Sequence, residues 1–395
     1  MKRAILFVSG LIFLGIIAST LIYFQPWNNE PELAISDEIA SEEVETQLET
    51  ITLTAAGDCL MHNTQIMAGL QADGTYNFDT YFREVEDLIR AGDYAAVTFE
   101  APMAGKEKVY TGYPVFNSPD AIANTFKDSG FDLIVTSNNH ILDKGITAAL
   151  RTMQIYKDVG LDTVGTYMTE EESRKFLIKD IRGVKVGYLG YGYGTNGIPV
   201  PKGYEFFFNF LDEDKILADI KAIRSEVDIL IVMLHWGVEY SIKPTQEQEI
   251  LAKEILRAGA DAIIGSHPHV IQPMEIVEID GQKKVIAYAI GNFISHQRGV
   301  ERNSGIVLKL KFSKDFNDGR ITLEEVSYTP TFSHHYNNNG KKEFRVVPVQ
   351  KTIEKIVIDD EPFLSKTDLP VLESILDTTT SRLGEPYYAD KLIEE

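Results

Sequence analysis

The chain has 395 residues, 44% hydrophobic and 25% charged, an ordinary globular balance that excludes wholesale disorder. Its 38 Lys and Arg against 59 Asp and Glu leave a net charge of −21, which argues against a general nucleic-acid binder, although a bound metal can invert the local field of an acidic protein. The single cysteine, Cys59, excludes an internal disulfide, an iron–sulfur cluster and a cysteine-rich zinc module.

At the start, Lys2 and Arg3 precede an uncharged run from Ala4 to Phe24, followed by Gln25, Pro26 and Trp27. A helix of that length, rising about 1.5 Å per residue, covers the roughly 30 Å hydrocarbon core of a bilayer. The basic flank predicts the N-terminus inside and everything after Trp27 outside the cytoplasm. The expectation is a single-pass cell-membrane anchor over 1–27. A cleaved signal peptide is the rival, but its apolar region is usually shorter, about 7–15 residues, and no clear A-x-A site follows. Residues 28–50 carry Glu30, Glu32, Asp37, Glu38, Glu42, Glu43, Glu45 and Glu49 with no basic residue. Such a stretch self-repels and buries little, so it reads as a solvated acidic linker.

From residue 51 the pattern is strand, helix, strand. Ile51–Ala55 runs into Gly57 and Asp58, Ala95–Phe99 ends at Glu100, and Asp132–Thr136 ends at Ser137, Asn138, Asn139 and His140. Asp228–Leu234 ends at His235, and Asp261–Ile264 ends at Gly265, Ser266 and His267. Between them the spacing predicts helices over Pro119–Ser129, Thr147–Val159, Asp212–Glu226 and Thr245–Ala258. Continuous apolar strands alternating with helices indicate an α/β fold with a mostly parallel sheet covered on both faces. Met274–Ile279, Lys283–Ile290, Gly305–Phe312 and Ile321–Tyr328 look like hairpin-linked antiparallel strands. The main domain is expected over 51–346, with a C-terminal extension over 347–395 that holds a helix near Leu369–Arg382. The Gly- and Tyr-rich stretch Tyr188–Tyr204 reads as a loop, either a substrate-facing lid or plain surface.

The chemistry sits where these strands stop. His140, His235, His267 and His269 all follow core strands, accompanied by the carboxylates Asp58, Glu100 and Asp143 and by Asn139. Ligands of open α/β sheets bind beyond the carboxyl ends of the strands, so five segments could converge on one crevice. In His267-Pro268-His269, extended backbone would aim both imidazoles to one side. Mixed His, Asp/Glu and Asn donors without thiolate suit a divalent Mn, Zn or Fe ion.

Six segments in order, GDCLMH (57–62), FEAPM (99–103), SNNHILDKG (137–145), HWGVEY (235–240), GADAIIGSHPHVIQP (259–273) and AIGNFIS (289–295), resemble the motif set of the CapA/PgsA family. These are the poly-γ-glutamate capsule biosynthesis proteins, and the resemblance implies a calcineurin-like metallophosphoesterase fold, a layered α/β/β/α sandwich. It also implies that Asp58, Glu100, Asn139, His235, His267 and His269 are metal ligands, with Glu100 standing where the wider superfamily has a bridging Asp. His140 would be the acid or orienting His, held by Asp143. The first motif departs from the usual D-x-H, because Cys59 and Leu60 follow Asp58 and the next His is His62. His62 is therefore a distant ligand, a phosphate contact or a surface residue. Glu239 could orient His235, and Asn292 could line the pocket.

By resemblance, the expected protein is a membrane-anchored, extracytoplasmic hydrolase with two divalent ions and an anionic substrate, working with membrane synthase subunits on poly-γ-glutamate. The alternatives are a non-catalytic accessory subunit that holds the polyanionic polymer, and a hydrolase that trims it. Lys144, Lys243 and Arg298 could neutralise an anion, while His296, His334 and His335 stand outside the motifs.

Overall fold

The computed structural model describes residues 47–388. The anchor expected over 1–27, and the acidic linker up to residue 46, lie outside the described residues. Among the described residues no helix is long and apolar enough to cross a membrane.

The first half supplies β1 (Leu48–Cys59), α1 (Asn63–Gly69), α2 (Glu86–Arg90), β2 (Tyr94–Phe99), α3 (Ala121–Asp128), β3 (Leu133–Val135), α4 (Ile146–Asp158) and β4 (Asp162–Val164). Next come α5 (Glu170–Ser173), β5 (Leu177–Ile181), β6 (Val184–Gly192), α6 (Glu213–Ile223), β7 (Ile229–His235), α7 (Gln246–Ala258) and β8 (Ala262–Ser266). The chain then forms β9 (Met274–Ile279), β10 (Gln282–Ala287), β11 (Asn292–Ile294), β12 (Ser304–Asp315), β13 (Ile321–Asn338) and β14 (Lys341–Pro348). It closes with α8 (Val349–Val357), α9 (Leu369–Leu383) and β15 (Tyr387–Tyr388).

These strands form two sheets, as in the layered sandwich that the resemblance implies, whereas the strand–helix pattern alone suggested one. The first runs β14-β13-β12-β1-β2-β3-β4, with β11 beside β1 and β15 beside β13; the second runs β5-β6-β7-β8-β10-β9. Strands β1 to β4 pair in parallel, as do β6, β7, β8 and β10, so within each sheet their carboxyl ends share a rim. The hairpins β9–β10 and β12–β13 are antiparallel as expected, but they finish different sheets. Strand β1 starts at Leu48, three residues before the expected Ile51.

Burial on both faces explains the continuous apolar runs. In β7, Ile229, Ile231 and Met233 join Leu53, Ala55 and Ala96 in a core between the sheets, whereas Leu230, Val232 and Leu234 pack under α6 and α7. In β2, Val97 and Phe99 turn the other way, onto Phe126 of α3 and Met153 of α4. The layers are thus helix, sheet, sheet, helix.

Local signals place the helices. Helix α7 begins with a reciprocal cap: Thr245 N–H donates to Gln248 Oε1 at 3.0 Å, and Thr245 Oγ1 accepts from Gln248 N at 3.3 Å. Ala252, Ile255 and Leu256 face the core, and Gly259, at φ 127, ends the helix. Losing the Thr245 cap would cost about 1 kcal/mol.

One local expectation is corrected. Tyr188–Gly192 is the end of β6, not loop, because its glycines permit close approach: a Cβ on Gly192 would stand 2.4 Å from Ser137 O. The C-terminal region packs onto the body through α8 and α9, with Val349, Ile356, Leu372 and Ile375 in one apolar cluster and Leu383 in the core between the sheets.

Candidate metal centre

Each of the five expected strand ends delivers its side chains to one place, three from the first sheet and two from the second. At the end of β1, Gly57 fits where no Cβ could, since one would lie 2.0 Å from Gly291 O. Asp58 N–H donates to that same carbonyl at 2.8 Å. Its Oδ2 then accepts from His267 N–H at 3.0 Å and lies 3.1 Å from His269 Nδ1. After β2, Glu100 N–H donates to Cys59 O at 3.0 Å, and the fully buried Glu100 carboxylate lies 3.8 Å from both His235 Nε2 and His269 Nδ1.

The turn after β3 is built by Asn138. Its amide donates to Phe99 O and Thr136 O, and its Oδ1 accepts from His140 N–H at 3.1 Å. That scaffold presents Asn139 Oδ1 to His235 Nε2 at 2.9 Å. The other ring nitrogen of His235 lies 2.9 Å from Ser266 Oγ, so this imidazole is fixed from both sides.

The His267-Pro268-His269 segment is not extended: His267 has φ 96 and His269 φ 59. These are left-handed conformations uncommon for residues with a Cβ, retained here by the Asp58 contacts and by Tyr240 N–H donating to Pro268 O at 2.8 Å. The imidazoles still share a side, with ring centroids 5.9 Å apart.

Two donor sets result, one of Asp58, Glu100 and His269 and one of Glu239, His267 and His269, each with ligand atoms within 4.8 Å of one another. Asp58 Oδ1, both Glu100 carboxylate oxygens and His267 Nδ1 are buried without any hydrogen-bond partner. Buried polar atoms are nearly always paired, so four orphans spread over two donor sets that share His269 fit bound cations.

The charges are mutually tuned. Burial raises the Glu100 carboxyl well above its ordinary range, opposed by His269 and reinforced by Asp58. Burial and the neighbouring imidazoles push His235 well below its usual value, and His267 down to about 3. Burial opposes charge on His269 too, yet Glu100 and Asp58 together raise it to about 9. His235 and His267 are thus held neutral, while His269, beside Glu100 and Asp58, retains a proton that a cation would displace.

The remaining expected residues fall nearby. His140 Nδ1 lies 2.8 Å from Asp143 Oδ2, which also accepts from Phe116 N–H at 2.7 Å, and the Phe116 ring packs edge-on 4.6 Å from His140. Asn292 Oδ1 lies 3.1 Å from His269 Nδ1. Glu239, expected beside His235, is grouped with His267 and His269. His62 enters neither donor set; its Nδ1 is 3.1 Å from Gln65 Oε1 and accepts from His296 N–H at 3.2 Å, at the start of α1.

Sequence reasoning missed several partners. Ser266 pairs with His235 across β7 and β8, a register visible only once the strands are aligned. Tyr193, 43% exposed, tilts over His267 at 4.5 Å and stacks 6.1 Å from His235. Asn196 Oδ1 accepts from Asn139 Nδ2 at 3.0 Å. Both lie in the stretch read as lid or surface, and no periodicity marks them.

Fold and site together define an α/β protein whose facing sheets gather a carboxylate–imidazole–amide cluster suited to divalent cations. The family model for the bacterial capsule synthesis protein PGA_cap matches residues 52–297, and the chain belongs to that family. The chain is 28% identical over 259 residues to the capsule biosynthesis protein CapA of Bacillus anthracis, covering 63% of this chain and 61% of that one, so less than two thirds of that relative is matched. It is 28% identical over 303 residues to the PGA biosynthesis protein CapA of Bacillus subtilis (strain 168), covering 73% and 74%. The resemblance carried by the six motifs is thereby borne out. Among solved structures, the NAD nucleotidase NadN of Haemophilus influenzae is similar at a TM-score of 0.47 and 12% identity, over 88% of this chain and 66% of that one.

Proposed function

We propose that this protein is a membrane-anchored, extracytoplasmic member of the capsule-synthesis family that hydrolyses an anionic substrate during the making or export of poly-γ-glutamate, using a calcineurin-like metallophosphoesterase fold. One observation carries the reading: two donor sets that share His269, one with Asp58 and Glu100 and one with His267 and Glu239, contain buried polar atoms that have no hydrogen-bond partner. The basic start and apolar run of residues 2–24 support the membrane address.

In this reading Asp58, Glu100, Asn139, His235, His267 and His269 hold one or two divalent cations, manganese, zinc or iron by their donor chemistry. A cation bound there polarises an anionic oxygen of the substrate and brings the pKa of water toward neutrality. The protein's own groups do the rest. Ser266 fixes the His235 ring through Nδ1, and Asn292 fixes that of His269. Asp143 holds His140 by Nδ1, leaving Nε2 to carry a proton to a departing oxygen, and Phe116 screens that ring from water.

The test is an assay of the full-length protein in detergent with Mn²⁺ or Zn²⁺, offered phosphodiesters, phosphomonoesters and γ-linked polyglutamate. Turnover of one of these that His140→Ala abolishes supports the proposal. No turnover, together with normal polymer production in cells carrying His140→Ala, refutes catalysis and leaves the accessory reading.

A further inference from the structure

Beside the cluster stands a cationic side chain for which the chemistry above has no use. Arg302 lies on the short 3-10 turn Glu301–Asn303 and is half-buried. Its carbonyl oxygen accepts from Asn292 Nδ2 at 2.6 Å and from Ser295 Oγ at 3.2 Å. Asn292 is the residue whose Oδ1 meets His269, so the turn is tied to a donor of the cluster by a single side chain.

The guanidinium lies over an aromatic ring. Its central carbon lies 3.8 Å from the centroid of the Tyr240 ring, and that ring lies 6.1 Å from His269. Tyr240 is itself fixed, at φ 65, with its N–H bonded to Pro268 O. Arg151, Arg182, Arg224 and Arg345 each grip a carboxylate. The Arg302 fork, by contrast, has no carboxylate or hydrogen-bond acceptor among the described residues.

We propose that Arg302, stacked on Tyr240, is an anion-binding subsite that receives a carboxylate or phosphate group of the substrate beside the metal cluster. The inference rests on the reading of that cluster as a metal site for an anionic substrate. A planar fork with its donors free matches the two oxygens of an oxyanion, and stacking removes in advance much of the side-chain freedom that binding would otherwise cost. In a chain of net charge −21, a polyanion is repelled except where fixed positive charge is concentrated. A γ-linked glutamate chain keeps one free α-carboxylate on every unit, so a unit at the cations places a neighbour's carboxylate within reach of this fork.

The experiment uses the full-length Mn²⁺-loaded protein, with a γ-linked glutamate oligomer and inorganic phosphate as calorimetric probes, comparing wild type with Arg302→Met, Arg302→Lys and Tyr240→Leu. Metal content and melting temperature are measured in parallel and are expected to stay at wild-type values. Arg302→Met should weaken oligomer binding about tenfold or more, the scale of a charge-assisted bidentate contact. Arg302→Lys, which keeps charge and loses the fork, and Tyr240→Leu, which loses the platform, should fall between. Equal oligomer affinity for wild type and Arg302→Met overturns the subsite and leaves the polymer reading standing. Binding of phosphate alone, with the same dependence on Arg302, upholds the subsite and overturns the polymer. Binding of neither probe overturns both.

Discussion

Removing the cation should destabilise the protein by an amount that the geometry bounds. Four polar atoms of the cluster are buried and unpaired. At about 1 kcal/mol each, the lower end of the cost of an unsatisfied buried group, a cation that satisfies them is worth about 4 kcal/mol. Mass action gives a similar figure, because a ligand at a hundredfold excess over its Kd stabilises by about 2.7 kcal/mol. For a domain of this size about 2 °C follows each kcal/mol, so Mn²⁺-loaded protein should melt roughly 5–8 °C above the chelated form. The assay is differential scanning calorimetry of the same preparation with excess chelator and with Mn²⁺ or Zn²⁺. Glu100→Gln isolates the cause: it removes the charge and one oxygen of the one carboxylate whose two oxygens are both orphaned, so the metal-dependent increment should shrink by half or more. Identical melting temperatures with and without metal in the wild type would refute the reasoning, since the orphaned atoms would then have some other explanation.

Further outcomes follow from other contacts. His267→Ala combined with His269→Ala should lower bound metal in elemental analysis, whereas His140→Ala should keep the metal and lose about 10²- to 10⁴-fold in turnover of any substrate found. Gly265→Ala would place a Cβ 1.8 Å from Tyr288 O and 2.6 Å from Trp236 Nε1, breaking their 2.9 Å hydrogen bond; denaturant unfolding should register a loss of about 3 kcal/mol. Burial and the Arg345 charge depress buried His334 from 6.5 to about 4. Its neutral ring contributes fully above pH 6.5, and that contribution is lost as pH falls toward 4, by up to about 3 kcal/mol. Urea midpoints for His334→Gln should therefore decline less steeply across that window than those of the wild type, and equal slopes would dismiss the assignment.

Much of this was legible in the residues because the chemistry and the core strands are adjacent in sequence. The run Asp228–Leu234 announced a strand covered on both faces, and His235 follows it directly; Asp261–Ile264 leads to His267 in the same way. Periodicity reports burial, however, and not the sheet a strand joins. The split into two sheets is decided by crossovers and by contacts such as the approach of Gly192 to Ser137, which composition misread as loop. The left-handed turns at His267 and His269 were illegible for a similar reason: they are imposed by Asp58, more than two hundred residues away. Tyr193, Asn196, Ser266 and Arg302 matter through position, and their residue types leave no spacing to detect.

The cluster straddles a seam. Asp58, Glu100 and Asn139 belong to one slab of the sandwich, His235, His267 and His269 to the other, and between the slabs the interior is almost wholly greasy. At the rim the side chains of both slabs already touch. The gap between slabs therefore sets the radius of the cage, and a core substitution far from any donor, such as thinning Ile231 or Leu308, becomes a way to retune which ion fits.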